Sequence, residues 1–518
     1  MQMLFLKQAL KFGRFFAICV VSAGLLFACD QQNLQTQAAK ATSTASSLQD
    51  RNILKRAVYA ERLRVDAHFI RTADEAAFAR DIFAGLVEFN EKGQIVPALA
   101  KNWFSENNKD WLFILDDSAK WSNGESVTAD DFVASWQRLA EPQNVSPLAP
   151  YLVYMGIENA KEIAEGKKPV SELGVKALNP HSLQIKLTKP NAQLVKMLGH
   201  SALLPSFKGE MPKLSSLVTS GAYRIAEISD RSAKLQAVKN GLDFAKVEYY
   251  AISDLQAIKQ FDVIENPLQS QQHNIWEFPR LCTYYYEFNF ADPQLKKKEV
   301  RQALKAIVLS ARIPHLYGVA NFSVLPRNMQ AAISRQWAPV VVEPLLAQAG
   351  INVQNPLKLT LLYDDHGRHS AIANQMVRTL GESDLLQIQP QGVSWEQFLA
   401  LREQKSFQLS RAGWCAEYAD PLPFLLHFHS QSPDNKSNYA NEMVDKQLEH
   451  LQNEKLSEEQ RQQLIHSIVQ QLEQDVAILP MFQYHRKVAL DSTILGIDLH
   501  NDSEVIYSKH LYRMKPKD

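Results

Sequence analysis

The sequence predicts a mixed α/β fold, and three observations point to it. Strand-like runs alternate with helical ones from residue 50 to the C-terminus. Two helices announce their starts with capping boxes, Thr128 with Asp131 and Ser457 with Gln460, each followed by an apolar stripe. Removing an N-terminal leader leaves about 490 of the 518 residues, enough for two or three domains.

Taken in order, the elements begin with that leader. Lys7, Lys11 and Arg14 precede an apolar stretch, residues 15–27, that is too short to span a bilayer as a stable helix. Leu26-Phe27-Ala28-Cys29 closes it and resembles a bacterial lipobox, which implies cleavage after residue 28 and acylation of Cys29. Ordinary cleavage beside a buried cysteine is the other reading. Asp30 resembles the signal that keeps lipoproteins in the inner membrane of Gram-negative cells. The expected location is therefore the periplasm, anchored to the inner membrane through Cys29, or the outer face of the cell membrane in a Gram-positive source. Residues 29–49 are rich in Gln, Thr, Ser and Ala without an apolar period, which describes a flexible tether. Further on, residues 111–115 form a strand, Asn123-Gly124 a tight turn, and the helix after Thr128 buries Phe132, Val133, Trp136 and Leu139. Residues 183–187 and 357–363 are strands, the second led in by Pro356, and Leu464, Ile465, Ile468 and Leu472 form the buried stripe behind Ser457.

The leader carries three basic residues and no acidic ones, so the mature balance is 53 minus 56, or −3. No basic face for nucleic acid is indicated. GxSxG, HExxH, CxxC, GxGxxG and P-loop patterns are all absent, so no enzyme class and no cofactor is indicated. His427 and His429 would share a face of a strand, but two histidines without a third ligand do not make a metal site. Of four cysteines, Cys19 leaves with the leader and Cys29 takes the lipid. Cys282 and Cys415 remain, and in an oxidising compartment they most simply pair. Cys415 sits in RAGWCAEYADP, residues 411–421, which gathers a guanidinium, an indole, a thiol and a carboxylate. A catalytic cysteine, a metal site and a stapled ligand pocket are all compatible with that run alone.

Five stretches, in order, resemble one family. They are ARDIFAGLVEFNEKGQIVPALAKNW (79–103), WLFILDDSAKWSNGESVTADDFVASWQRLAEP (111–142), GKKPVSELGVKALNPHSLQIKL (166–187) with TSGAYRI (219–225), LCTYYYEFN (281–289) and RAGWCAEYADPLPFL (411–425). Together they look like the extracytoplasmic peptide-binding proteins of ABC importers, the oligopeptide and murein-peptide branch of solute-binding protein family 5. The resemblance runs over most of residues 55–515. It implies the two-lobed periplasmic-binding-protein fold of type II, in its three-domain family 5 variant, with hinge closure on the ligand. Domain I would comprise residues 50–83, 205–281 and 485–518, domain II residues 84–204, and domain III residues 282–484.

The family also implies roles for single residues. An extended peptide can be held as an added strand, its main chain giving affinity and roomy wet pockets accepting its side chains. Its ends set the register, because a buried ammonium needs a carboxylate partner. Glu417 stands where relatives carry the aspartate that meets the peptide's amino terminus. Arg411 and His369 match positions that meet the C-terminal carboxylate, each for a different ligand length, and an arginine fork takes both oxygens. A structural ion pair for Arg411 and a solvated loop for His369 are the alternatives. Trp395 and Trp414 resemble pocket walls, with core packing as the other reading. Gly413 would let backbone approach the ligand closely. Tyr285 faces the pocket by strand alternation, while Tyr284 and Tyr286 pack. Cys415 would contribute its backbone, and in relatives a disulfide joins the cysteines that match Cys282 and Cys415.

Three departures bear on ligand range. Glu417 adds a methylene to the usual aspartate, Leu148 replaces a frequent pocket tyrosine, and residues 226–281 and 316–340 are short beside relatives. The expected function is capture of oligopeptides and their delivery to an ABC permease in the inner membrane, by a monomer without catalysis, cofactor, metal or nucleic-acid partner. Alternatives are a murein-peptide, haem or metal-chelate receptor of the same family, an extracytoplasmic thiol enzyme using Cys415, and a chaperone-like or adhesive surface lipoprotein.

Overall fold

The computed structural model describes residues 51–515, apart from 71, 253–260, 266, 268–273, 331–339, 417 and 455. The leader, Cys29, the tether and Glu417 thus lie outside the described residues. Among the described residues no helix is long and apolar enough to cross a membrane.

A strand covered on both faces cannot alternate polar with apolar residues. The strand Asn274–Phe288 is buried without a break from Leu281 to Phe288, which places it at the centre of a sheet. It pairs antiparallel with a second long strand, Ile478–Leu490. Together they form the middle of an eleven-stranded mixed sheet. On one side follow Leu409–Cys415, Leu357–Asp364 and Leu386–Val393, and on the other Val263–Glu265, Ile53–Tyr59, Lys246–Ile252, Ser232–Ala237 and Tyr223–Ile228. Val319–Ala320 pairs with the second long strand off this path.

The apolar core divides along those two strands. Phe278, Val488 and Leu490 join a core that contains Leu54, Phe78 and Tyr223. Tyr284, Tyr286, Leu479 and Phe482 join another, built on helices Lys298–Ser310 and His369–Leu380. On the opposite face Tyr285 and Ala412 pack under helices Glu442–Asn453 and Glu458–Gln474. The pairing register of the long strands shifts between Pro279 and Thr283, a bulge-like irregularity that marks the passage from one core to the other.

The insertion expected at 84–204 contains its own antiparallel sheet, Ala100–Phe104, Asp110–Leu115, Ser182–Lys186 and Val175–Asn179. Its apolar core is continuous with that of the flanking strands. The helix Ala129–Ala140 has both bonds of its capping box, with the Thr128 N–H donating to Asp131 Oδ2 at 2.8 Å. Phe132, Trp136 and Leu139 are buried as expected, whereas Val133 is only half-buried because it lies about 100° round the helix from Phe132. Ser457 and Gln460 likewise cap each other at 2.9 and 3.2 Å. Ile465, Ile468 and Leu472 are buried behind that cap, and Leu464 is half-buried.

Where Ile53–Tyr59, Val263–Glu265 and Ile478–Leu490 meet, four charged side chains are buried together. Arg56 and Arg486 both pair with Glu265, and Arg56 lies 3.7 Å from Asp81. Asp81 also accepts the Tyr249 hydroxyl at 2.6 Å and the Ser508 N–H at 3.0 Å. Two cations and two carboxylates, hydrogen-bonded to one another and to the backbone, satisfy the demand that buried charge be paired.

Candidate functional site

The strand Leu409–Cys415 pairs with Leu357–Asp364 only at Leu409 and Ser410. Beyond Ser410 one of its edges has no neighbouring strand among the described residues. On its other edge it follows Asn274–Phe288 throughout, with Cys415 opposite Cys282, Gly413 opposite Tyr284 and Arg411 opposite Tyr286. The Ala416 N–H donates to the Leu281 carbonyl oxygen at 2.8 Å, which makes Cys282 and Cys415 a non-hydrogen-bonded pair. By alternation, Ala412 and Trp414 turn their backbone groups inward, while Gly413 and Cys415 turn theirs to the open edge. Both of those residues are exposed. An exposed edge with alternate donors and acceptors is a template for an added strand.

A disulfide joins Cys282 to Cys415, with the Cα atoms 4.0 Å apart across the ladder. It closes a separation of 133 residues, worth on the order of 4–5 kcal/mol in the chain-entropy model. No thiolate remains at Cys415, so this structure offers no nucleophile for the thiol-enzyme reading. A Cβ on Gly413 would lie 2.7 Å from the Thr283 carbonyl oxygen. The glycine is thus required by its close pairing with the central strand.

Asp364 and His369 converge beside this edge with Arg411, which lies 42 residues beyond His369. His369 Nδ1 lies 2.8 Å from Asp364 Oδ2, and Arg411 Nη2 lies 3.0 Å from His369 Nε2. Arg411 Nε is 3.5 Å from Asp364 Oδ1. These contacts fit a neutral imidazole that donates from Nδ1 to the carboxylate and accepts from the arginine at Nε2. Burial and the Arg411 charge hold the His369 pKa below the usual histidine value, against the pull of Asp364. The Arg411 guanidinium also stands over the rings of Tyr284 and Phe398, at 5.7 and 5.6 Å, and its charge works against the rise that burial gives the Tyr484 pKa. It is thus both the partner in an ion pair and, with 17% of its side chain accessible, a group that a ligand can reach.

A cavity of about 950 Å³ opens between the two cores. Phe89, Trp103, Leu148, Lys196 and His200 line one wall, Arg280, Leu281 and Arg486 its base, and Ala416, Tyr418 and Ala419 the other. The chain segment that continues from the open edge therefore forms part of the wall. Tyr418 is buried and reaches across to Tyr154, with ring centroids 6.5 Å apart. Asp420 is held by Arg461 at 2.8 and 2.9 Å.

The expected site residues fall into groups. Arg411, His369, Gly413 and Cys415 stand together along the edge, and Trp395 is near them, 41% exposed and stacked on Phe398. Trp414 lies on the opposite face of the strand against His427, at 5.3 Å, with its indole nitrogen buried and unpartnered. Tyr285 is 3% exposed and packs with Phe424 and Phe428 in the helical core, away from the cavity wall. Helices cover both faces of that strand, so alternation separates two cores there and does not mark a solvent face. Tyr284 and Tyr286 pack as expected. Asp364, Tyr418, Tyr484 and Arg280 were not singled out by sequence. Asp364 had one usable signal: a carboxylate at the C-terminal end of a strand, directly after the run Leu361 to Tyr363.

The model of bacterial extracellular solute-binding proteins, family 5 middle, matches residues 94–436, more than half the chain. A protein of Haemophilus influenzae named only as a binding protein is 38% identical over 516 residues, 96% of this chain and 98% of the relative. The periplasmic oligopeptide-binding protein OppA of Salmonella typhimurium is 31% identical over 540 residues, again 96% and 98% of the two chains. Among solved structures, the unliganded open form of MppA, a periplasmic murein tripeptide binding protein, superposes with a TM-score of 0.80 at 28% identity. That match covers 89% of this chain and 97% of the other.

Proposed function

The chain belongs to the bacterial extracellular solute-binding proteins of family 5, and from that premise we propose that it captures oligopeptides outside the cytoplasm for an ABC importer. The observation that carries this reading is the open edge at Gly413 and Cys415, which leads directly into the wall of the cavity between the two cores. A peptide laid there gains main-chain hydrogen bonds that do not depend on its sequence. In the proposed pose Glu417 takes the ligand's ammonium and Arg411, steadied by Asp364 and His369, its carboxylate. Trp395 and Trp414 flank side-chain pockets.

The same reading makes the two long strands the hinge, with domain I at 50–83, 205–281 and 485–518, domain II at 84–204 and domain III at 282–484. Likeness to an unliganded open form supports an open arrangement here. Cleavage before Cys29, its acylation and a monomeric state complete the proposal, with the cell membrane as the anchoring surface. A murein peptide as ligand has its own support in the likeness to MppA.

Native mass spectrometry of the protein purified from its own periplasm or cell surface tests the proposal. A co-purified peptide, one per chain, is expected. A protein that carries no peptide and ignores added peptide pools in calorimetry would overturn it.

A further inference from the structure

By the alternation that turns Gly413 and Cys415 outward, Arg411 is the next residue whose backbone faces the open edge. Its carbonyl is already engaged. The oxygen accepts from Arg402 Nη1 at 2.8 Å and from the Ser410 hydroxyl at 3.1 Å, and a carbonyl has two lone pairs to give. The Gly413 and Cys415 carbonyls have no such donor among the described residues.

Arg402 is itself held in place. It lies in the last turn of the helix Trp395–Glu403, four residues after Phe398 and seven after Trp395, so the three share a face. Arg402 Nη2 is 2.8 Å from Glu287 Oε2, a carboxylate buried on the central strand. The guanidinium also stands over the Phe398 and Phe407 rings, at 5.6 and 5.9 Å. One planar fork thus joins an ion pair to a backbone cap.

We propose that Arg402 is a positioning residue that ends the binding edge. A ligand strand exchanges main-chain hydrogen bonds with Cys415 and Gly413, and finds the next acceptor, at Arg411, taken. Register follows from this. A ligand shifted two residues toward Arg411 gives up its pairing at Cys415 and gains no acceptor in return. A longer ligand must leave the strand at the same point. The proposal rests on the peptide-binding reading and deepens it, by fixing where the paired segment stops.

Calorimetry on the full-length purified protein tests it, with C-terminally amidated alanine peptides of three to seven residues. The amide removes any share of a terminal carboxylate at Arg411. Affinity is expected to rise with length in the parent and then level off. Arg402→Met frees a lone pair on the Arg411 carbonyl, so levelling should come at a longer peptide, after a further gain of roughly fivefold, the net worth of one hydrogen bond. That variant leaves Glu287 with only His427, 2.8 Å away, as counter-charge. Glu287→Gln/Arg402→Met, which removes both charges of the pair, is therefore measured beside it. Damage to packing would weaken all lengths alike, whereas loss of the cap moves the levelling point. Affinity that climbs through every length in the parent, or a levelling point unmoved in the variants, would overturn the cap and leave peptide binding standing. Failure of every peptide to bind the parent would instead remove the peptide reading itself.

Discussion

Two charge clusters sit on the same sheet and differ in one respect. Arg56, Asp81, Glu265 and Arg486 are sealed, each at most 3% exposed and satisfied by one another, Ser508 and Tyr249. Asp364, His369 and Arg411 also set a guanidinium against a carboxylate but stop at an open edge, with the carboxylate buried and the arginine partly accessible. In the first cluster the charges answer one another and only Arg486 borders the cavity, so its role is to fix the crossing of strands. The second holds a guanidinium in place by one side and presents the other. Burial together with completeness separates scaffold from site here, whereas charge content does not.

The largest effect that would sharpen this contrast is expected from the sealed side. Glu265→Gln leaves two buried guanidinium groups short of a counter-charge and should lower stability by about 3–5 kcal/mol, read from urea unfolding. Peptide affinity of the fraction that remains folded should hardly move. An unfolding midpoint equal to that of the parent would erase the distinction. A smaller effect of opposite character is expected from Arg411→Lys. The charge beside Asp364 is kept and the fork is lost, so peptide affinity should fall roughly tenfold while stability changes by under about 1 kcal/mol. Loss of stability without loss of affinity would make Arg411 a structural ion pair only.

The smallest effect concerns pH. The folded-state pKa of His369 is depressed by burial and by Arg411, so the unfolded chain takes up a proton there more readily. The contribution to stability is therefore complete above the ordinary histidine value of about 6.5 and is lost as pH falls through the lower folded value. Protonation also sets an N–H against the Arg411 N–H. Unfolding midpoints between pH 7 and pH 5 should drop less in His369→Gln than in the parent, and equal slopes would remove His369 from the cluster.

Much of the fold was legible because its signals are local. Capping boxes at Thr128 and Ser457, the turn at Gly124 with φ of +90°, and the strand after Pro356 each depend on neighbours within a few residues. The site was legible where a motif carried it, as at Arg411, Gly413 and Cys415. It was not where contacts join distant strands. Nothing near His369 announces that Arg411, 42 residues on, will donate to its Nε2. Tyr285 shows the limit of alternation, which tells faces apart but cannot say that both are covered. Tyr418 is recruited into the facing core by a segment whose sequence carries no period at all.

The central claim is that a ligand adds as a strand at one edge, and amide hydrogen exchange resolved to single residues addresses it most directly. Gly413 and Cys415 should exchange readily in the ligand-free protein and become protected when a saturating peptide is added. Ala412 and Trp414, whose amides already bond to the central strand, should change little. Peptide binding that leaves the Gly413 and Cys415 amides as exposed as before would contradict the account.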